Sequence, residues 1–366
     1  MDPETQRALG LTTRLLSEPP DLAVVADPES WALVRKYAKQ FGVAPLVAHI
    51  ARLHVPRSDK EWCDGILTRS WTLHENSLYH LKFVLGLLSD AGIETICLKG
   101  PLLARRYYNP PFLRRPSADL DIGVRESDLR QACEVLVRAG YVRTGSLEED
   151  LACSHHVELT HPARSAIELH FRASHGALGI RVDEFFGRSM PYPLPGGGTA
   201  HVPGPADEIL QLVLHLAKDR YKPIFHLYEI RRLWRAASSA VREEVLELAA
   251  NHHFRGVTVL TDVAFRVRWG ESFLPPHLAK TKTWLHWRID EQLYSAFEDW
   301  DKPEGDLTLH ERIHGRWLEL QTTDRPADAL RFFGLMARVA WFQIRQRGWR
   351  TIRRHEAVSR QVKIPL

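Results

Sequence analysis

The chain has little cysteine. Its four, Cys63, Cys97, Cys133 and Cys153, are scattered through 366 residues without a C-x-x-C pair. That spacing excludes a disulfide framework and matches no structural zinc motif, so four reduced, mostly packed thiols are expected. No stretch reaches the roughly 18 uncharged apolar residues of a membrane span. The opening segment MDPETQRALG lacks the apolar run of a secretory signal, and a cytoplasmic protein is expected. Neither sign of charge dominates. The 49 Lys and Arg against 45 Asp and Glu leave a formal charge of +4, too small to argue by itself for a nucleic-acid partner. Internal repeats and low-complexity tracts are also missing. What is present, 44% hydrophobic and 26% charged residues, excludes disorder for most of the chain.

Three stretches follow one another. Residues 1–90 read as a helical lobe, with apolar residues at helical spacing in Trp31, Val34, Ala38 and Phe41 and again in Leu67, Trp71, Leu78, Leu81 and Leu85. Residues 91–204 change character. A strand is expected over Ile93–Leu98, then a turn at Lys99-Gly100 and a helix opened by Pro101. A second strand runs from Leu120 to Val124. A helix capped by Ser127 or Asp128 ends at Gly140, and Tyr141-Val142 starts a third strand. Residues 155–161 and 165–172 alternate as a β-hairpin turning near Ala163, which sets Glu158 opposite Glu168 and His156 opposite His170. The Pro/Gly-rich stretch 191–205 interrupts the pattern. Residues 205–366 return to helices. The expected class is therefore α+β, a small mixed sheet between two helical lobes.

Chemistry concentrates at Asp119-Leu120-Asp121. Residues i and i+2 of a strand share a face, so these carboxylates repel one another unless a cation intervenes, and hard oxygen donors suit Mg²⁺. Glu168, on the polar face of the hairpin, can be the third carboxylate of a two-metal site. Gly100 lets a triphosphate approach the backbone at a helix N-terminus, Lys99 adds a point charge and Arg115 a fork for phosphate oxygens. His170 is two residues from Glu168 on the same face, suited to orienting it or to contacting substrate.

These segments, LKGPLLARRYY, RRPSADLDIGV and AIELHFRA, resemble the nucleotidyltransferase family of the DNA polymerase β-like superfamily, in its small bacterial branch. The resemblance is best over residues 93–172, with a weaker extension at Leu214-His215-Leu216-Ala217-Lys218. It implies that Asp119 and Asp121 hold two Mg²⁺ ions, that Glu168 holds the ion activating the acceptor hydroxyl, and that Gly100 cradles a nucleoside triphosphate. The superfamily's usual Gly-Ser turn reads Lys99-Gly100-Pro101 here, so the serine's phosphate contact falls to Lys99 or Arg115. The resemblance further implies transfer of a nucleoside monophosphate to a hydroxyl or phosphate of a small molecule, peptide or protein, with nucleic acid less favoured. A catalytically inactive nucleotide-binding or scaffold protein, or a toxin-like transferase acting on tRNA or protein, fits the same fold.

His155, His156, His161, His170 and His175 cluster in sequence, though at no standard zinc spacing. His215 and Lys218 lie one turn apart and suit either the cleft border or a core. A final helix from about Asp328 to His355 carries Arg345, Arg347, Arg350, Arg353 and Arg354 after an aromatic run. It suits a core helix with a solvated end, an acidic or phosphate-bearing partner, or a membrane surface.

Overall fold

The computed structural model describes residues 2–276 apart from 144, 174–179, 220, 222 and 223, together with scattered positions from 278 to 341. His175 and most of the basic helix expected over 328–355 lie outside the described residues. The architecture is mixed α+β, as expected. Five strands, β1 (Ile96–Cys97), β2 (Asp119–Gly123), β3 (Val142–Arg143), β4 (His156–Thr160) and β5 (Ala166–His170), form one sheet in the order β1-β2-β5-β4-β3. β2 and β5 run parallel, and every other neighbouring pair is antiparallel.

Alternation explains why this sheet has one dry face. Leu120 and Ile122 of β2, Ile167 and Leu169 of β5, and Val157 and Leu159 of β4 are all buried in one cluster. They meet Leu78, Leu81, Val84, Leu85 and Leu88 from the helix Arg57–Asp90 and Leu129, Ala132, Cys133 and Leu136 from the helix Leu129–Arg138. Each such side chain contributes about 1.5–3 kcal/mol on burial. The other residues of the same strands, Asp119, Asp121, Glu168, His170, His156 and Glu158, therefore share the opposite face. A second apolar cluster joins the N-terminal helices, through Leu9, Trp31, Val34 and Val47, to the helices Pro205–Lys218, Ile224–Ala236 and Arg255–Trp269.

Several expectations need correction. Trp71 is not a core residue but 52% exposed. The buried seam of its helix passes instead through Ser70, His74 and Ser77, because there the helix runs beside a loop, and the Ser70 hydroxyl donates to the Phe112 carbonyl. The first strand is shorter than 93–98: only Ile96 and Cys97 pair with β2, and the Leu98 amide then donates to the Asp121 carbonyl at 3.1 Å before the chain turns. The stretch 191–205 folds as a hairpin of β6 (Met190–Pro193) and β7 (Thr199–Val202). Its turn uses Gly196, Gly197 and Gly198, all at positive φ, a region open to glycine and strained for other residues. A helix that the sequence reading leaves out, Leu147–Cys153, is capped by Ser146, whose hydroxyl accepts from the Glu149 amide. Among the described residues no helix is long and apolar enough to cross a membrane.

One buried ion pair fastens the loop before β2 to the C-terminal helices. The Arg114 guanidinium donates to both oxygens of Glu229, at 2.5 and 3.1 Å, and the Tyr108 hydroxyl donates to the same carboxylate at 3.4 Å. Removing one partner leaves the other charge buried and uncompensated, so Arg114→Met is expected to destabilise the fold by about 3–5 kcal/mol. The double variant Arg114→Met/Glu229→Leu recovers most of that loss. Urea unfolding checks both; a single-variant loss below about 1 kcal/mol, the range of an exposed pair, would contradict the assignment.

Candidate active site

The polar face of the sheet gathers around Asp121. The β2–β5 register sets Asp121 beside Glu168 and Gly123 beside His170, while the β4–β5 register sets His156 opposite His170 and Glu158 opposite Glu168. Both hairpin pairings are those expected from the sequence. The Glu158–Glu168 repulsion is eased because Glu158 is exposed to water, whereas Glu168 turns toward histidines.

Asp121 is buried and doubly held. Lys99 Nζ lies 2.8 Å from its Oδ1, and His170 Nε2 lies 3.1 Å from the same oxygen and 3.2 Å from Glu168 Oε2. One imidazole nitrogen thus bridges two carboxylates from neighbouring strands. Burial opposes the charge on Asp121, but the Lys99 ammonium and the His170 hydrogen bond outweigh it and hold the carboxyl well below the usual range. Glu168 is likewise burdened by burial, yet His170 and His156 bring it down to about 2. Burial alone would lower Lys99 and His170; the carboxylates outweigh it and raise both, which favours their charged forms.

Asp119 behaves differently. Burial first, and then repulsion from Asp121, push its carboxyl up, although the Ser117 hydroxyl donates to it. It is only half-buried, at the open end of the strand. The set therefore has three hard oxygen donors, a carboxylate under electrostatic load, and cations confined to the Asp121–Glu168 side. Ligand atoms of Asp121, Glu168 and His170 lie within 4.8 Å of one another, with Asp119 outside that group, and the carboxylate donors suit a divalent ion of the Mg²⁺ type.

The Lys-Gly turn sits beside this face. Gly100 has φ +71°, which favours glycine, and nothing lies within 4 Å of where a Cβ would stand. The helix Gly100–Tyr107 begins here, and its first turn lines a narrow cleft with His74, Arg115, Pro116 and Ser117. Arg115 is exposed at that rim and packs its stem near Gly42 and Phe225. The preceding arginine is the structural one of the pair. A roomier hollow of about 450 Å³, between Leu85, Arg125, Phe186 and His201, contains none of these predicted site residues.

Sequence reasoning missed one neighbour, Ser117. Ser117 has no signal beyond its place before the D-x-D. His155 and His156 join His170 in a group of imidazoles with ring centres 4.3 to 5.4 Å apart, because β4 and the residue before it lie against β5. His161 is elsewhere, packed on Tyr141. His215 does reach the site's border but meets Asp219 and His226 rather than the carboxylates.

Comparison with known proteins gives the family. The family model described as an uncharacterised nucleotidyltransferase matches residues 27–261, more than half of the chain, and the protein belongs to that family. No curated protein matches its sequence. Among solved structures, the antibiotic-resistance factor ANT(2'')-Ia is similar at 9% identity and a TM-score of 0.36, over 48% of this chain and 92% of that one.

The ammonium of Lys99 is expected to stand in for a cation. Lys99→Met leaves buried Asp121 short of its partner and costs about 3–5 kcal/mol in metal-free buffer. Millimolar Mg²⁺ restores much of the loss, and Lys99→Met/Asp121→Asn no longer responds to Mg²⁺. Denaturation midpoints with and without the ion test this; a loss that Mg²⁺ leaves untouched would contradict a cation site at these carboxylates.

Proposed function

We propose that the protein transfers a nucleoside monophosphate from a nucleoside triphosphate to a hydroxyl or phosphate of a small-molecule, peptide or protein acceptor, with Mg²⁺ as the metal. The observation that carries this reading is the parallel β2–β5 register, which sets Asp121 and Glu168 side by side with Asp119 on the same face. The family membership supports the reaction class.

In the proposed reaction an acceptor oxygen attacks the α-phosphorus in line. The new P–O bond forms as the bond to the β-phosphate oxygen breaks, releasing pyrophosphate and a proton. Metal ions held by Asp119, Asp121 and Glu168 would supply charge neutralisation at the phosphates and lower the cost of ionising the acceptor. The chain's own residues do the positioning. His170 fixes Asp121 and Glu168 relative to each other through one nitrogen. Glu168, held near 2, stays ionised and suits cation binding better than proton abstraction. Gly100 opens the turn to a phosphate chain, and exposed Arg115 at the rim offers it a bidentate partner. A cytoplasmic setting belongs to the same proposal, since a cell interior supplies the triphosphates.

One observation favours a second reading, nucleotide binding without turnover. Lys99 Nζ already occupies Asp121 Oδ1, and a chain that keeps that pair closed cannot offer the oxygen to a metal.

The test is pyrophosphate release, with mass analysis of a panel of acceptors. Under the transferase reading, Asp121→Asn, compared with wild type under conditions where circular dichroism shows it folded, loses about 10²–10³-fold or more in rate, the range for removing one preorganised charge stabiliser. Chelation of divalent ions abolishes turnover, and Mg²⁺ restores it. An unchanged rate in Asp121→Asn would overturn the assignment. Tight nucleotide binding with no pyrophosphate from any acceptor would establish the second reading.

A further inference from the structure

A second group of ligating side chains lies on the C-terminal helices. His215 is on the helix Pro205–Lys218, Asp219 follows at its C-terminus, and His226 opens the helix Ile224–Ala236. Asp219 Oδ2 is 3.4 Å from His215 Nε2 and 3.2 Å from His226 Nε2. The two imidazoles stand edge to face, 83° apart, with ring centres at 4.7 Å. One ligand atom from each of the three residues lies within 4.8 Å of the others. Two imidazole nitrogens and a carboxylate oxygen converge on one point from two helices.

We propose that His215 Nε2, Asp219 Oδ2 and His226 Nε2 bind one divalent transition-metal ion of the zinc type, at a site distinct from the Asp119–Asp121–Glu168 carboxylates. The two separations to Asp219 suit a tetrahedral site. Bonds of about 2.0–2.1 Å to nitrogen and oxygen place neighbouring ligand atoms about 3.3 Å apart, and the two separations to Asp219 bracket that value. The donor set matches the ion: imidazole nitrogen selects zinc-like metals over Mg²⁺, so the two sites take different ions from one solution. The Lys99 charge that reaches this group is itself matched by Asp121 at 2.8 Å. Three protein ligands leave a fourth position for water or for an oxygen of a bound molecule, the pattern of open rather than closed zinc sites.

Cobalt is the probe, since tetrahedral Co²⁺ absorbs in the visible and octahedral Co²⁺ hardly does. The full-length, tag-free chain is stripped with a chelator and titrated with Co²⁺ while absorption and stoichiometry are read. One equivalent bound with tetrahedral bands is expected. His226→Gln and Asp219→Asn, each with an unchanged circular dichroism spectrum, should lose about 10–100-fold or more in affinity. Asp219→Asn preserves shape and so separates ligation from folding. His156→Ala, which alters the sheet face and leaves the Lys99–Asp121 pair in place, should keep both the bands and the affinity. Three results would overturn the proposal: no tetrahedral Co²⁺ in the wild type, unchanged affinity in both His226→Gln and Asp219→Asn, or bands that disappear with His156→Ala.

Discussion

Asp121 and Glu168 repel each other across two neighbouring strands, and the rest of the site exists because that repulsion is managed. One imidazole, His170, reaches both carboxylates, and one ammonium, Lys99, closes on the more buried of them. Each neutralising group has its own structural requirement. Lys99 must come off a strand that ends beside β2 and then turn at once into a helix, which Gly100 permits with its positive φ. His170 must sit two residues past Glu168 on a buried strand. Breaking either contact leaves a desolvated carboxylate, so the electrostatics of the site and the stability of the sheet are one problem.

The sheet's two faces divide this work. The apolar face packs on the helix Arg57–Asp90 and fixes the register, since a slip of one residue would exchange Leu169 for His170 against the core. The register in turn fixes which carboxylates meet. Asp119 stands outside the neutralised pair, with its carboxyl pushed up by burial and by Asp121, and the proposed cation site rests on this unmatched group. The loop before β2 is pinned from the far side by Arg114 on Glu229, so the C-terminal helices contribute to the position of Asp119 without touching it.

Much of this was legible in the sequence, and the parts that were not share a cause. The β4–β5 hairpin could be read to the residue, including Glu158 against Glu168 and His156 against His170, because two alternating segments joined by a short turn leave one register. The D-x-D on β2, the Lys-Gly turn and the family assignment rest on equally local patterns. The parallel pairing of β2 with β5 spans more than 40 residues and has no local signature. The same holds for Arg114 with Glu229, 115 residues apart. Trp71 misled because helical spacing identifies a stripe but not its neighbour, and the neighbour here is the short segment Pro111–Leu113, whose Phe112 carbonyl accepts from Ser70. The 191–205 stretch misled because its glycines were read as a break, although Ala200 and Val202 alternate with exposed Thr199 and His201 as a strand requires.

The central claim is that this carboxylate face binds a nucleoside triphosphate together with a divalent ion. Calorimetric titration of the four ribonucleoside triphosphates, with and without Mg²⁺, into the wild type and Asp119→Ala/Asp121→Ala tests it most directly. The account predicts binding of at least one triphosphate that requires Mg²⁺ and vanishes in the double variant. Binding that is indifferent to Mg²⁺ and to both substitutions, or no binding of any triphosphate, would contradict it.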